Sequence, residues 1–257
     1  MMYIETEVVQ EERWVATKDG QMGVYVARPK EEGVKRPAII LIQEIFGVNE
    51  HIKDVCQRFA RQGYVVFSPD VFYRHGAWTQ LTDLSKLHDK LALLKEGEVI
   101  RDFDALIQAI SEDERVQKDA LGVIGYCMGG RLAYLSAAVW PDHIKCAAVY
   151  YGGRITRSTP QFPTAPIDRT KNIKGGVIGF FGGLDKGIPR EDVEAIERAL
   201  REAGVDHRIY YYPDADHGFY NDTREVFHVR AAQDAWHKTL NWFEKYLGPV
   251  PSVEASL

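Results

Sequence analysis

Residues 119–139 read DALGVIGYCMGGRLAYLSAAV, and the fold turns on how this stretch is read. Residues 120–124 are a short apolar run of the kind that forms a buried strand. Gly125-Tyr126-Cys127-Met128-Gly129 follows, and residues 131–139 then read as a helix with Leu132, Leu135 and Ala138 on one side. The expected order is strand, sharp turn, helix. Gly-x-Cys-x-Gly at such a turn has the form of a nucleophile elbow, with cysteine in the serine position. The chemistry explains the residue types. The nucleophile sits on strained backbone, so the residues two before and two after it must be small where strand and helix pass each other. Gly125 and Gly129 meet that need. The helix N-terminus behind the sulfur offers free N–H groups that favour a thiolate and a developing oxyanion. A buried structural cysteine in a glycine-rich turn would give the same short string, so the partners have to come from the rest of the chain.

Toward the N-terminus, residues 98–111 form an amphipathic helix with Val99, Phe103, Leu106 and Ile110 on one face. Residues 72–97 are a long aromatic and charged excursion. Residues 64–68 read as a strand closed by Pro69-Asp70. Asn49 caps a helix running to about Gln62, with Gly63 at its C′ position. Residues 37–42 are continuously apolar, as a strand buried on both faces would be, and Gln43-Glu44-Ile45-Phe46-Gly47 breaks the run. Residues 13–17 and 22–28 form a hairpin through Lys18-Asp19-Gly20, and residues 30–35 are a charged loop.

Toward the C-terminus, residues 144–151 are a strand ending at Gly152-Gly153. Residues 154–172 carry three prolines and no periodicity, which predicts a surface loop. Residues 176–181 are a strand ending at Gly182-Gly183-Leu184-Asp185. Residues 189–203 are a helix with Pro at its start and Gly204 at its end. Residues 208–212 are a strand and 214–221 a loop. Residues 226–247 are a long final helix with Ala232, Trp236, Leu240, Phe243 and Leu247 inward, and the tail 249–257 is expected to be mobile. Strands alternate with helices from Pro37 onward. The fold class is therefore α/β, with a mostly parallel central sheet, helices on both faces and an N-terminal antiparallel hairpin. No linker or repeat divides residues 1–257, so one domain is expected, its core about 13–247.

Bulk properties narrow the function. At 257 residues and 45% hydrophobic content the chain can bury a sizeable core. A net charge of −5 argues against a nucleic-acid surface. No apolar run approaches the roughly 18 residues of a membrane span. The N-terminal MMYIETEVVQEERW is acidic and does not read as a signal peptide. Cys56, Cys127 and Cys146 are widely spaced, without CxxC, so neither zinc nor a redox pair is indicated and a reducing cytoplasm is expected. The eight histidines show no metal-ligand spacing.

In open α/β sheets ligands bind beyond the carboxyl ends of the strands. Glu44 and Ile45 follow the first parallel strand, Asp70 and Arg74 the second, Cys127 the third, Asp185 the fifth and His217 the sixth. Nucleophile, acid, histidine is the chain order of an α/β-hydrolase triad. His217 would share the thiol proton, and Asp185 would fix its tautomer. Asp214 and Asp216 compete for the acid role, but they lie close in sequence to His217, and the post-strand position favours Asp185. Glu44 places a carboxylate at the same edge. Cys56, within a helix, and Cys146, within a strand, read as core cysteines.

With these residues assembled, the chain resembles the dienelactone hydrolases (carboxymethylenebutenolidases), a branch of the α/β-hydrolase fold with a cysteine nucleophile. The resemblance spans roughly residues 14–247. It rests on Gln43-Glu44-Ile45-Phe46-Gly47-Val48-Asn49, Ser68-Pro69-Asp70 with Arg74, Gly125-Tyr126-Cys127-Met128-Gly129-Gly130, Tyr150-Tyr151-Gly152, Gly183-Leu184-Asp185 and Asp216-His217-Gly218-Phe219. It implies a Cys127–His217–Asp185 triad, with Glu44 contacting the resting thiol and helping to deprotonate it. It further implies an oxyanion hole from the Ile45 and Met128 N–H groups and a substrate carboxylate held by Arg74. The family's second carboxylate-binding arginine falls at Asn221, with Arg224 the nearest arginine, and loop 154–172 looks expanded. Asn221 and Tyr126 join Arg74 as expected substrate contacts.

The expected protein is thus a cofactor-free, metal-free hydrolase of small esters or lactones bearing a carboxylate, monomeric or homodimeric, with no nucleic-acid or membrane partner. The alternative is a binding or redox-sensing protein on the same fold. A dinucleotide-binding enzyme is disfavoured because residues 122–130 lack G-x-G-x-x-G.

Overall fold

A computed structural model describes residues 7–251. Its sheet has eight strands, in the order β1-β2-β4-β3-β5-β6-β7-β8. The hairpin comes first. β1 (Val8–Thr17) and β2 (Gly20–Pro29) pair antiparallel, and the register closes on Thr17 opposite Gly20. β1 alternates between half-buried and exposed residues, as an edge strand with one wet face should. β2 then runs antiparallel to β4 (Val65–Pro69).

The remaining pairings are parallel. β3 (Arg36–Ile42) lies between β4 and β5 (Val116–Tyr126), and β6 (Ile144–Tyr150), β7 (Gly176–Gly182) and β8 (His207–Tyr212) follow in turn. Every residue of β3 and β7 is buried, which is why these strands read as unbroken apolar runs. One face carries α1 (Glu50–Arg61) and α6 (Val229–Leu247), joined where Phe59 meets Trp236 at 4.5 Å between ring centres. The other carries α3 (Glu96–Ser111) and α4 (Met128–Val139), joined where Phe103 stacks on Trp140. α5 (Arg190–Glu202) packs on β8. The Asn49 carboxamide accepts the Ile52 N–H at 3.1 Å and starts α1, and Gly63 beyond its end has φ +97. None of the described helices is long and apolar enough to cross a membrane.

Four expectations change. The excursion 72–97 contains a short helix, α2 (Leu87–Ala92). Loop 154–172 is not simply a surface loop: Ile155, Phe162 and Thr170 are buried, a 3₁₀ turn spans Pro166–Asn172, and the Tyr134 and Thr170 hydroxyls share a 2.6 Å hydrogen bond. The final helix starts at Val229 because the His228 ring accepts the Ala231 N–H and caps it. Its buried face includes Ala231, Ala235, Thr239 and Trp242, while Trp236 and Leu240 are half-buried. Of the tail expected to be mobile, Val250 packs against Gly63 and the Pro251 carbonyl accepts from Arg36 at 2.9 Å. Residues 252–257 lie outside the described residues.

Candidate active site

β5 ends at Tyr126 and α4 begins at Met128, leaving Cys127 alone on the corner with φ +56 and ψ −118. A non-glycine residue in this region is strained and is held there by its surroundings. The neighbours show why the flanking residues are glycines. A Cβ on Gly125 would lie 1.9 Å from the Gly129 carbonyl oxygen. One on Gly129 would lie 2.3 Å from the Ile42 oxygen and 2.5 Å from the Gln43 oxygen. All of these obstacles are backbone, so α4 can approach β3 only over bare glycine. Among the described residues, neither the Ile45 nor the Met128 N–H donates to a protein acceptor. Cys56 and Cys146 are fully buried, and burial pushes both thiols up.

The loop after β8 brings His217 to the corner. Its Nδ1–H donates to Asp185 Oδ2 at 2.6 Å, and the other Asp185 oxygen accepts the Gly187 N–H at 2.8 Å. The competing carboxylates are committed elsewhere: Asp216 accepts the backbone N–H of His217 at 2.6 Å, and Asp214 pairs with His228 at 3.3 Å. With Nδ1 directed at Asp185, Nε2 is left free on the side of Cys127, which acts electrostatically on the ring. Burial opposes the charged imidazole, but the adjacent Cys127 and Asp185 outweigh it and hold His217 well above its ordinary value. A third of the His217 side chain is open to solvent.

Glu44, just beyond β3, is only 1% exposed. The Asn221 Nδ2–H donates to it at 2.7 Å and the Tyr151 hydroxyl at 3.4 Å. Asn221 is oriented in turn by the Thr223 N–H and hydroxyl, which donate to its Oδ1 at 3.1 and 2.7 Å. Tyr151 lies between Glu44, which its hydroxyl reaches, and His217, whose ring centre is 5.2 Å from its own. Burial, and then the charges of Glu44 and Cys127, raise the Tyr151 hydroxyl well above its usual value, so it stays a donor.

Cys127, Asp185 and His217 open into a cavity of about 290 Å³ walled by Leu87 and Leu91 of α2, Leu132, Phe162 and Ile188. Met128 also lines it. The three expected substrate contacts do not. Arg74 forks onto Asp102, at 2.5 and 2.7 Å, and reaches Asp19 at 2.8 Å, so it ties the excursion to α3 and the hairpin turn. Asn221 is buried and holds Glu44. Tyr126 is fully buried, stacked on Tyr220 at 5.3 Å and tilted against Tyr150 at 4.8 Å. The alternation of β5 turns it away from the cavity. Arg224 lies over the Phe46 ring.

The sequence pattern of the Dienelactone hydrolase family matches residues 22–247, most of the chain. This chain belongs to the dienelactone hydrolase family. A "Putative carboxymethylenebutenolidase" of Escherichia coli O157:H7 is 36% identical over 235 residues, covering 91% of this chain and 86% of the relative. One of Synechocystis sp. with the same name is 37% identical over 234 residues, covering 88% and 93%. A crystal structure titled as a "Putative Dienelactone Hydrolase", from Klebsiella pneumoniae, superposes with a TM-score of 0.87 at 32% identity, covering 93% of this chain and all of that one. These matches confirm the expected α/β-hydrolase fold.

In this dienelactone hydrolase family member, sequence reasoning missed Tyr151, the bond from Asn221 to Glu44, and two arginines that line the cavity, Arg131 and Arg154. Tyr151 carried a signal, since it ends a sheet strand immediately before Gly152-Gly153. Arg131 carried one too, one helical turn beyond the elbow. Among the described residues, no cluster of three or more His, Cys, Asp or Glu side chains could hold a metal ion.

Proposed function

We propose that this protein hydrolyses small esters or lactones with Cys127 as its nucleophile. The observation that carries the reading is the elbow cysteine on strained backbone, facing a cavity and backed by His217, which Asp185 holds at 2.6 Å. In the first step the Cys127 sulfur attacks the acyl carbon as a thiolate, its proton residing on His217. The tetrahedral oxyanion lies against the Ile45 and Met128 N–H groups, each such donor being worth about 2.7–4 kcal/mol in comparable sites. Collapse breaks the C–O bond. The leaving alkoxide takes the proton from the His217 imidazolium, and a lactone stays tethered through its acyl group. A water then gives a proton to His217 and attacks the thioester carbon, and the sulfur leaves as thiolate. The net reaction is ester plus water to acid plus alcohol, and no cofactor enters it.

Glu44 is a third ionisable group at the same edge. It is buried and accepts from Tyr151, and its carboxylate can relay the thiol proton to His217 when a substrate displaces the resting contacts, so that the proton still ends on the imidazole that protonates the leaving group. The pocket's apolar walls and its volume suit a small acyl or lactone ring. The test is a panel of activated esters and small lactones given to wild type and Cys127→Ala. Loss of all turnover in the variant, with its fold retained by circular dichroism, supports the reading. Turnover at the wild-type rate refutes it. A thiol that is oxidised reversibly while wild type shows no burst with an activated ester would favour a sensor.

A further inference from the structure

Arg131 is seven per cent exposed and lines the cavity one helical turn along α4 from Cys127, about 5.4 Å of rise. A guanidinium buried to that degree is expected to have a carboxylate partner, because an unpaired buried charge is costly. Arg131 has none within ion-pair distance among the described residues. Its planar face rests on Phe162, 4.2 Å from the ring centre. One Nη reaches the Arg157 carbonyl at 3.4 Å, and its Nε is buried with no acceptor among the described residues. Glu96 is the acid that acts on it, and Glu96 is already paired with Arg169.

The second cation is Arg154. It follows Gly152-Gly153 at the end of the β6 strand, in the left-handed region with φ +61, and lines the same cavity. It makes no ion pair or side-chain hydrogen bond among the described residues, and it is exposed. Burial, then repulsion from Arg154, pushes the Arg131 guanidinium down to about 10. Two like charges therefore face one apolar cavity beside the nucleophile. An anionic group between them would relieve both effects at once.

We infer that Arg131 and Arg154, rather than Arg74, form the anion subsite of this pocket and take a carboxylate placed a few bonds from the scissile carbonyl. The scissile carbonyl rests on the hydrolase reading, though the subsite itself stands on the cavity and the two arginines. Planar guanidinium forks suit a carboxylate. The placement also replaces the one expected from sequence: Arg74 is held by Asp102 and Asp19, and anion recognition moves to the first turns of α4 and the loop after β6. The apolar body of the substrate would lie against Leu87, Leu91 and Leu132.

The test is calorimetric binding to full-length Cys127→Ala, which separates recognition from turnover. The probes are 5-oxotetrahydrofuran-2-carboxylate and its isosteric carboxamide. The carboxylate is expected to bind about tenfold or more tightly than the amide, the scale of one charge-assisted pair. Adding Arg131→Gln should abolish the preference, and Arg131→Lys should retain part of it. Arg154→Gln, at an exposed position that cannot compromise the core, should reduce it several-fold. Equal affinity for the two probes, no detectable carboxylate binding, or a preference that survives in both glutamine variants would overturn the assignment. Hydrolysis of 4-nitrophenyl acetate by wild type is scored separately. Its absence would refute the hydrolase reading and leave the binding result standing.

Discussion

Replacing Asn221 with leucine removes the 2.7 Å hydrogen bond from its Nδ2–H to Glu44. Both residues are 1% exposed, so water cannot replace the lost donor. Among the described residues, the Glu44 carboxylate then keeps only the Tyr151 hydroxyl at 3.4 Å. A hydrogen bond to a charged group contributes about 1.5–3 kcal/mol, and leaving such a group buried without it costs at least as much. For a chain of this size each kcal/mol is worth about 2–4 °C, so Asn221→Leu should lower Tm by roughly 3–12 °C. The single variant also loses the Thr223 contacts to Oδ1, and a double-mutant cycle with Glu44→Gln cancels that part. Urea unfolding followed by tryptophan fluorescence gives the four stabilities. The expected coupling is about 1.5–3 kcal/mol. A coupling below about 0.5 kcal/mol, within ordinary additivity error, would mean that Asn221 does not hold Glu44.

Three further outcomes follow from the same geometry. His217 should titrate well above 6.5 by NMR, and Asp185→Asn should lower its midpoint. Because its folded-state value is raised, the stabilisation is fully present below about pH 6.5 and is lost as pH rises through that folded value, so Asp185→Asn should destabilise more in mild acid than in alkali; an unchanged midpoint would contradict this. Gly129→Ala puts a Cβ 2.3 Å from the Ile42 oxygen, which should cost about 1–3 kcal/mol of stability and, if α4 shifts by about 1 Å, about 10²-fold in kcat/KM; wild-type kinetics with wild-type stability would refute the close-approach argument. Arg74→Ala should destabilise by about 1.5–3 kcal/mol through loss of the Asp102 pair, leaving the preference for carboxylate over carboxamide unchanged; a lost preference would return Arg74 to the substrate site.

The elbow was legible in the sequence because its constraint is local: glycines two residues either side of Cys127 are demanded by backbone that lies on the same βα unit and on β3. Asp185 was legible because post-strand position is a property of the fold class. What separates it from Asp216 is a bond to His217's own N–H, which spacing could suggest and only coordinates could show. The surroundings of the expected substrate contacts were not legible, for a physical reason. Arg74 was placed by the strand it follows, but its direction is set by Asp102 on α3, a partner that no local pattern marks. Arg131 was read as one residue of a helix whose apolar face mattered, and its exposure to the cavity depends on Phe162 in a loop without periodicity. The helix α2 did leave a trace, since Leu87, Leu91 and Leu94 are spaced for one helical face, but charged residues around them hid it.

The central claim is that Cys127 becomes acylated. The measurement is rapid-quench mass spectrometry after mixing the protein with 4-nitrophenyl acetate, with peptide mapping of any adduct. The account predicts one acetyl group per chain, on the peptide containing Cys127, formed in the burst and lost as acetate is released. It predicts none on Cys56 or Cys146, which are fully buried. Ester hydrolysis that proceeds at full rate in Cys127→Ala, or with the acetyl group on another residue, would contradict it.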